Sequence, residues 1–155
     1  MSVVYMKVLF TGKYLKRLIT MRMIKFRGKI IDKAADIEKF AYGCLDFRGL
    51  HSCPSDTMII EEMNRGVWYV DRSTIGQFIG AYDCNGTEIY EGDICEFEGK
   101  YKFIVKWDDN ETGFLMFRLD GTKSPVQFHG GAYKKLKVVG NIFDNAEWQN
   151  ISNVS

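Results

Sequence analysis

Glycine-marked turns at Gly86, Gly92, Gly99, Gly113, Gly121 and Gly130-Gly131 cut the second half of this chain into short segments. A mean helix takes about 11–12 residues, whereas a strand takes about 5–6. Between the turns the pattern is that of strands. "YKFIVKW" sets Tyr101, Phe103, Val105 and Trp107 on one face and Lys102, Ile104 and Lys106 on the other, the period-2 signature of a half-solvated strand. "TIGQFIGAY", "ICEFE", "FLMFRL", "VQFH" and "KVVGNIF" read the same way. Asn85-Gly86 supplies the positive φ of a hairpin turn. Fifteen glycines against two prolines fit this reading. The expectation is a mainly β chain with little helix, an antiparallel meander that hides its edges by closing into a small barrel.

The first half is less regular. "IKFRGKI" alternates Ile24, Phe26, Gly28 and Ile30 with Lys25, Arg27 and Lys29, a strand with the basic face solvated. "DKAADIEKFAYG" reads as a loop or short helix leading into a strand, and "MIIEEMNRGVWYVD" as two β segments about Asn64-Arg65-Gly66. The body, residues 23–150, is expected to divide into an irregular subdomain at 23–72 and a clearer one at 73–150. Residues 1–22 form a basic leader whose apolar runs are too broken by Lys7, Lys13, Lys16 and Arg17 for a signal peptide or a membrane span. The composition changes so abruptly that Met21 and Met23 are candidate starts of the functional chain.

Charge narrows the function classes. Residues 1–31 hold eight Lys/Arg and no Asp or Glu, whereas the other 124 residues hold 13 basic and 20 acidic side chains, a balance of −7. An acidic body is a poor duplex-binding surface, because that affinity comes from cations neutralising phosphates. The four cysteines, Cys44, Cys53, Cys84 and Cys95, are nine positions apart at the closest. They lack the paired spacing of zinc ligands, and are expected as reduced, buried thiols. No phosphate loop, nucleophile elbow, dinucleotide fingerprint or zinc-protease motif occurs. "GTKS" and the "HGG" that begins at His129 read as turns, and the two histidines, His51 and His129, are far apart in the chain. No metal and no cofactor is expected.

The stretch "DCNGTEIYEGDICEFEG" concentrates Asp83, Glu88, Glu91, Asp93, Glu96 and Glu98 without an intervening cation. Glu91 and Asp93 could share a strand face and work as an acid/base pair or hold a hard cation. The acids, however, interleave with Ile89, Tyr90, Ile94 and Phe97, as the solvated face of a strand does. Gly92-Asp93 also has a local structural role. Glycine permits the bend, and the aspartate can accept backbone N–H groups that the bend leaves unpaired. The many aromatics, Trp107 among them, should fill the core. An exposed subset could bind a peptide, or stack bases beside Lys102, Lys106, Lys134, Lys135 and Lys137.

"STIGQFIGAYDCNGTEIYEGDICEF" resembles the signature of the YopX family of phages and prophages of Gram-positive bacteria. The matching positions are Ile75, Gly76, Gln77, Phe78 and Gly80, then Asp83, Asn85 and Gly86, then Glu88, Ile89, Tyr90, Glu91, Gly92, Asp93 and Ile94. The opening Ile24-Lys25-Phe26-Arg27 and the closing Gly140-Asn141-Ile142-Phe143-Asp144-Asn145 also fit. Ile79, Thr87 and Cys95 depart from the usual residues at tolerant strand or turn positions. The resemblance implies a small SH3-like barrel, encoded by a mobile element and working in the bacterial cytoplasm. It supplies no catalytic residue.

Together these readings lead to an expectation of a non-enzymatic phage or prophage accessory protein. It would be an SH3-like β module that binds a host or phage protein, self-associates and does not enter a membrane. A nucleic-acid-binding small barrel is the alternative, and a hydrolase or metal enzyme using Glu91 and Asp93 ranks behind both.

Overall fold

The computed structural model describes residues 23–31, 39–46, 57–62, 66–122, 124–128, 131–144 and 148. The alternating stretch after Ile24 forms β1 (Phe26–Lys29). It is followed by β2 (Phe40–Asp46), β3 (Thr57–Glu62) and β4 (Gly66–Asp71), each antiparallel to the one before. A 3-10 turn at Arg72–Thr74 then redirects the chain, capped by the Asp71 carboxylate, which accepts Ser73 N–H at 2.9 Å. The next strand, β5 (Gly76–Tyr82), therefore lies beside β1, not β4. Thr74 Oγ1 accepts Lys29 N–H at 2.8 Å, which extends that pairing. β6 (Glu88–Tyr90) completes a sheet of order β4-β3-β2-β1-β5-β6.

This sheet curls back on itself. Ile30 bridges Val70, and Ile31 N–H donates to Tyr69 O at 3.0 Å, so β4 returns to the end of β1. Curling satisfies backbone groups that an edge strand would expose. Ala41, Met58, Ile60 and Val70 are buried inside the curl, with Phe26, Ile30, Leu45 and Trp68 packed around them.

The second sheet holds β7 (Asp93–Phe97), β8 (Tyr101–Asp108), β9 (Gly113–Arg118), β10 (Val126–Gln127) and β11 (Leu136–Asn141), in the order β10-β9-β8-β7-β11. Its register sets Cys95 against Phe103 and Val105 against Met116. These four join Ile89 and Leu136 in a second core, on which Ile79 and Ala81 of β5 also pack. β5 and β6 thus pair with the first sheet and cover the second. Burying side chains of this size contributes about 1.5–3 kcal/mol each.

The chain is mainly β and antiparallel, as the patterning predicts, but it builds two sheets and not one continuous meander. Three expectations on side chains change. Arg27, read onto the solvated face of β1, is buried at 6% exposure. Trp107 shares its face of β8 with Phe103 and Val105 but sits at the strand end beyond the core, 46% exposed. Ile104, on the supposedly wet face, is buried and pairs with Ile94. The leader 1–22, the possible helix at 32–38, His51, Cys53 and His129 lie outside the described residues. Among the described residues no helix is long and apolar enough to cross a membrane.

Candidate functional site

The densest polar construction lies where the two sheets meet. Only Glu91 and Gly92 separate β6 from β7, so the chain passes from one sheet to the other in two residues. Gly92 adopts φ 82°, and a side chain there would lie 3.0 Å from the Phe143 ring. Its N–H donates to Val105 O at 2.8 Å and its carbonyl accepts Ile142 N–H at 3.0 Å. Gly76 packs on the same corner: a Cβ at Gly76 would overlap the Glu91 carbonyl oxygen. Gln77 O accepts Glu91 N–H at 2.9 Å. Gly80, at φ 86°, lies where the β5–β6 register shifts.

Asp93, the first residue of the second sheet, reaches back to Arg27 of the first, with Nη2 2.6 Å from Oδ1. Its other oxygen accepts Tyr90 N–H at 2.8 Å, the backbone group that the bend leaves over. The guanidinium lies over the Phe40 and Tyr90 rings, 5.2 and 5.0 Å from their centroids, and Nη2 reaches the Glu91 carbonyl at 3.3 Å. Arg27 therefore serves as counterion, stacking plate and carbonyl donor at once, a combination that lysine does not offer. Burial pushes the Asp93 carboxyl up to about 6, even against the pull of Arg27 and Tyr90 N–H. Burial, then the neighbouring Glu88, holds the Tyr90 phenol well above its usual value. Tyr90 Oη donates to Glu88 Oε2 at 2.7 Å, and Glu88 also pairs with Lys25.

Asp83 ties the β5–β6 hairpin to β11. Its Oδ1 accepts Asn85 and Thr87 N–H, both at 2.8 Å, and Oδ2 accepts Val138 N–H at 2.9 Å. Burial would raise this carboxyl, but the backbone donors of Val138, Thr87 and Asn85 outweigh it and hold it below the usual range. Gly86, at φ 82°, closes the turn by donating to Asp83 O at 3.1 Å. Asp83 and Asp93 thus act alike: each carboxylate accepts a backbone N–H where one sheet abuts the other.

The closing segment does the same at its own bend. Asn141 Oδ1 accepts Phe143 and Asp144 N–H at 2.9 and 3.0 Å. Asp144 pairs with Lys29 at 3.1 Å and Lys39 at 2.7 Å, and Lys29 Nζ donates to Phe143 O at 2.8 Å. Gly140 pairs with Ile94 beside a register shift. Ile89 and Ile94 are wholly buried.

The signature positions other than Trp107 therefore gather at one seam and are engaged in holding it. Two of the six acids expected on a solvated strand face, Asp83 and Asp93, are buried instead, because each has a backbone or cationic partner that only the tertiary fold brings near. Glu91 and Asp93 do not stand as an acid/base pair, since Asp93 is engaged with Arg27 and Tyr90 while Glu91 Oε1 faces Trp107 N–H at 3.5 Å. Among the described residues no group of three or more His, Cys, Asp and Glu could hold a metal. Strand patterning does not single out Arg27 as a site residue; the Lys-Phe-Arg opening is the available signal.

The surface readings also sort out. Lys102 and Lys106 lie on the face of β8 opposite Trp107, by strand alternation. Glu96 stands across from both Lys102 and Lys137, and Lys135 pairs with Glu98 at 3.1 Å. The lysines and the indole do not form one stacking platform. Cys44 and Cys84 are exposed, against the expectation of buried thiols, while Cys95 is buried. Burial, with Asp93 and Asp83 nearby, pushes the Cys95 thiol far up. On the outer face of the curl Tyr42, Cys44, Val67 and Tyr69 are exposed together across β2 to β4, with Ile31 beside Tyr69.

Comparison with known proteins adds one match. The family model described as YopX protein covers residues 25–148. Among the curated proteins none matches the chain.

Proposed function

The chain belongs to the YopX family, and from that premise we propose that it is a non-enzymatic accessory protein of a phage or prophage that binds a protein partner and self-associates in the bacterial cytoplasm. The observation that carries this reading is the outer face of the N-terminal curl. Val67 and Tyr69 are 51% and 52% exposed on β4, and Tyr42 is 38% exposed on β2. Cys44, Glu61 and Val67 form one cross-strand row beside them. Contiguous exposed apolar area of this kind marks interaction surfaces. The signature polar groups, by contrast, are engaged in the scaffold, which leaves them little capacity for chemistry on a substrate. An SH3-like mode of peptide recognition is part of the proposal.

The test is light scattering of the purified chain together with nuclease-treated affinity capture from host lysate. An oligomer and a captured protein that both disappear in a Val67→Glu/Tyr69→Glu variant are the expected result. A monomer that captures no protein would overturn the reading. Capture that depends on nucleic acid would favour the alternative, against which the acid-matched lysines already weigh.

A further inference from the structure

A second exposed aromatic feature lies away from the curl. Trp107 ends β8 and pairs across the strands with Phe114 of β9, their ring centroids 5.2 Å apart at 78°. This edge-to-face contact fixes the indole while 46% of the residue stays in solvent. Carboxylates surround it. Asp109 Oδ1 accepts Trp107 Nε1–H at 2.9 Å, and Glu91 Oε1 faces Trp107 N–H at 3.5 Å. Asp108 folds the following loop by accepting Asn110 and Glu111 N–H at 3.0 and 2.9 Å, which keeps Glu111 on the same loop. From Trp107 to Phe117 the sequence contains three acids and no Lys or Arg.

The adjoining strand edge is open. β10 pairs only with Leu115 and Met116 of β9, so among the described residues no strand lies outside Gly113 and Phe114. An extended segment can add there by main-chain hydrogen bonds. The indole face accepts a cation, and the acids favour the same charge. Phosphate-bearing ligands are disfavoured by those carboxylates, and two copies of this acidic patch would repel each other.

We infer that the Trp107–Phe114 corner is a docking site for an extended, lysine- or arginine-bearing segment of a partner protein. A cationic side chain lies over the Trp107 indole, flanked by Asp109 and Glu91, while the segment's backbone pairs along β9 at Gly113–Phe114. This site is separate from the β4 face and does not depend on the reading given to that face.

The experiment is fluorescence anisotropy of the full chain with two labelled peptides, one alternating lysine with threonine and one alternating glutamate with threonine. The lysine peptide is expected to bind and the glutamate peptide not. Trp107→Ala should weaken binding about tenfold or more, because the cation loses its aromatic face. Asp109→Asn should weaken it severalfold, with circular dichroism showing both variants folded. Raising the salt should also weaken binding, as expected for exposed charges. Should Trp107→Ala fail to fold, Asp109→Asn decides. Equal binding of both peptides, no binding of the lysine peptide, or an unchanged affinity in the folded variants would overturn the inference. Binding that appears only when residues 1–22 are removed would also overturn it, by assigning the site to the chain's own basic leader. The Val67→Glu/Tyr69→Glu variant should bind the peptide normally, so failure here and failure of the β4 reading are distinguishable.

Discussion

Replacing Asp93 by asparagine removes a charge from the seam while leaving an oxygen to accept Tyr90 N–H. Arg27, with 7% of its side chain exposed, then keeps its charge with no carboxylate beside it. Breaking a buried pair from one side costs about 3–5 kcal/mol. Arg27→Met should cost a similar amount at neutral pH, reduced by whatever the Asp93 carboxyl regains by taking up a proton. The double variant Arg27→Met/Asp93→Asn has neither charge to strand, so its loss should fall well short of the sum. A coupling of at least about 2 kcal/mol is expected, beyond the ~0.5 kcal/mol scatter of independent sites. Urea unfolding followed by tryptophan fluorescence measures it. With a slope of about 1–3 kcal/mol/M, each single variant should lose at least about 1 M in midpoint. Additive losses, or a single-variant cost below about 1 kcal/mol, would refute the claim that this pair holds the two sheets together.

Three further outcomes follow from the same geometry. The Asp93 carboxyl should titrate near pH 6 by carbon NMR, not near the ordinary aspartate value. Because its folded value is raised, its contribution to stability is present below about pH 4 and is lost as pH rises through about 6. Asp83, with its value lowered, contributes above the usual carboxylate range and loses that contribution as pH falls. Asp93→Asn should remove the first dependence and spare the second in pH-resolved urea unfolding. Gly76→Ala should cost about 1–3 kcal/mol in thermal unfolding, since its methyl group meets a backbone carbonyl that cannot turn aside; an unchanged midpoint would contradict the close approach. Of the three cysteines described, Cys44 and Cys84 should react with a thiol reagent in the folded protein and Cys95 only after denaturation, readable by peptide mapping.

The strands from β5 to β9 were legible because their signals are local: alternation along each strand and glycine or Asn-Gly at each turn. The role of Asp93 at its bend was legible for the same reason, since the N–H it accepts lies only three residues away at Tyr90. Its counterion was not. Arg27 alternates correctly for a solvated face, and nothing within its own strand announces a carboxylate in a different sheet. Trp107 shows the converse. Its parity puts it with Phe103 and Val105, but parity assigns a face, not a position along it, and the core ends before the strand does. The β4-to-β5 passage was hidden too, because whether a strand joins its predecessor or an earlier neighbour depends on the Asp71-capped turn and on the open side of β1. The seam was thus visible as a set of residues before it was visible as a place.

The central claim is that the signature residues build the scaffold and that exposed apolar surface carries the activity. Nuclease-treated affinity capture from host lysate, run in parallel with the native chain, the folded Val67→Glu/Tyr69→Glu variant and the folded Arg27→Met/Asp93→Asn variant, tests it most directly. The account predicts that the seam variant retains the same captured protein and the surface variant loses it. Capture retained by the surface variant, or lost when only the seam is neutralised, would contradict it.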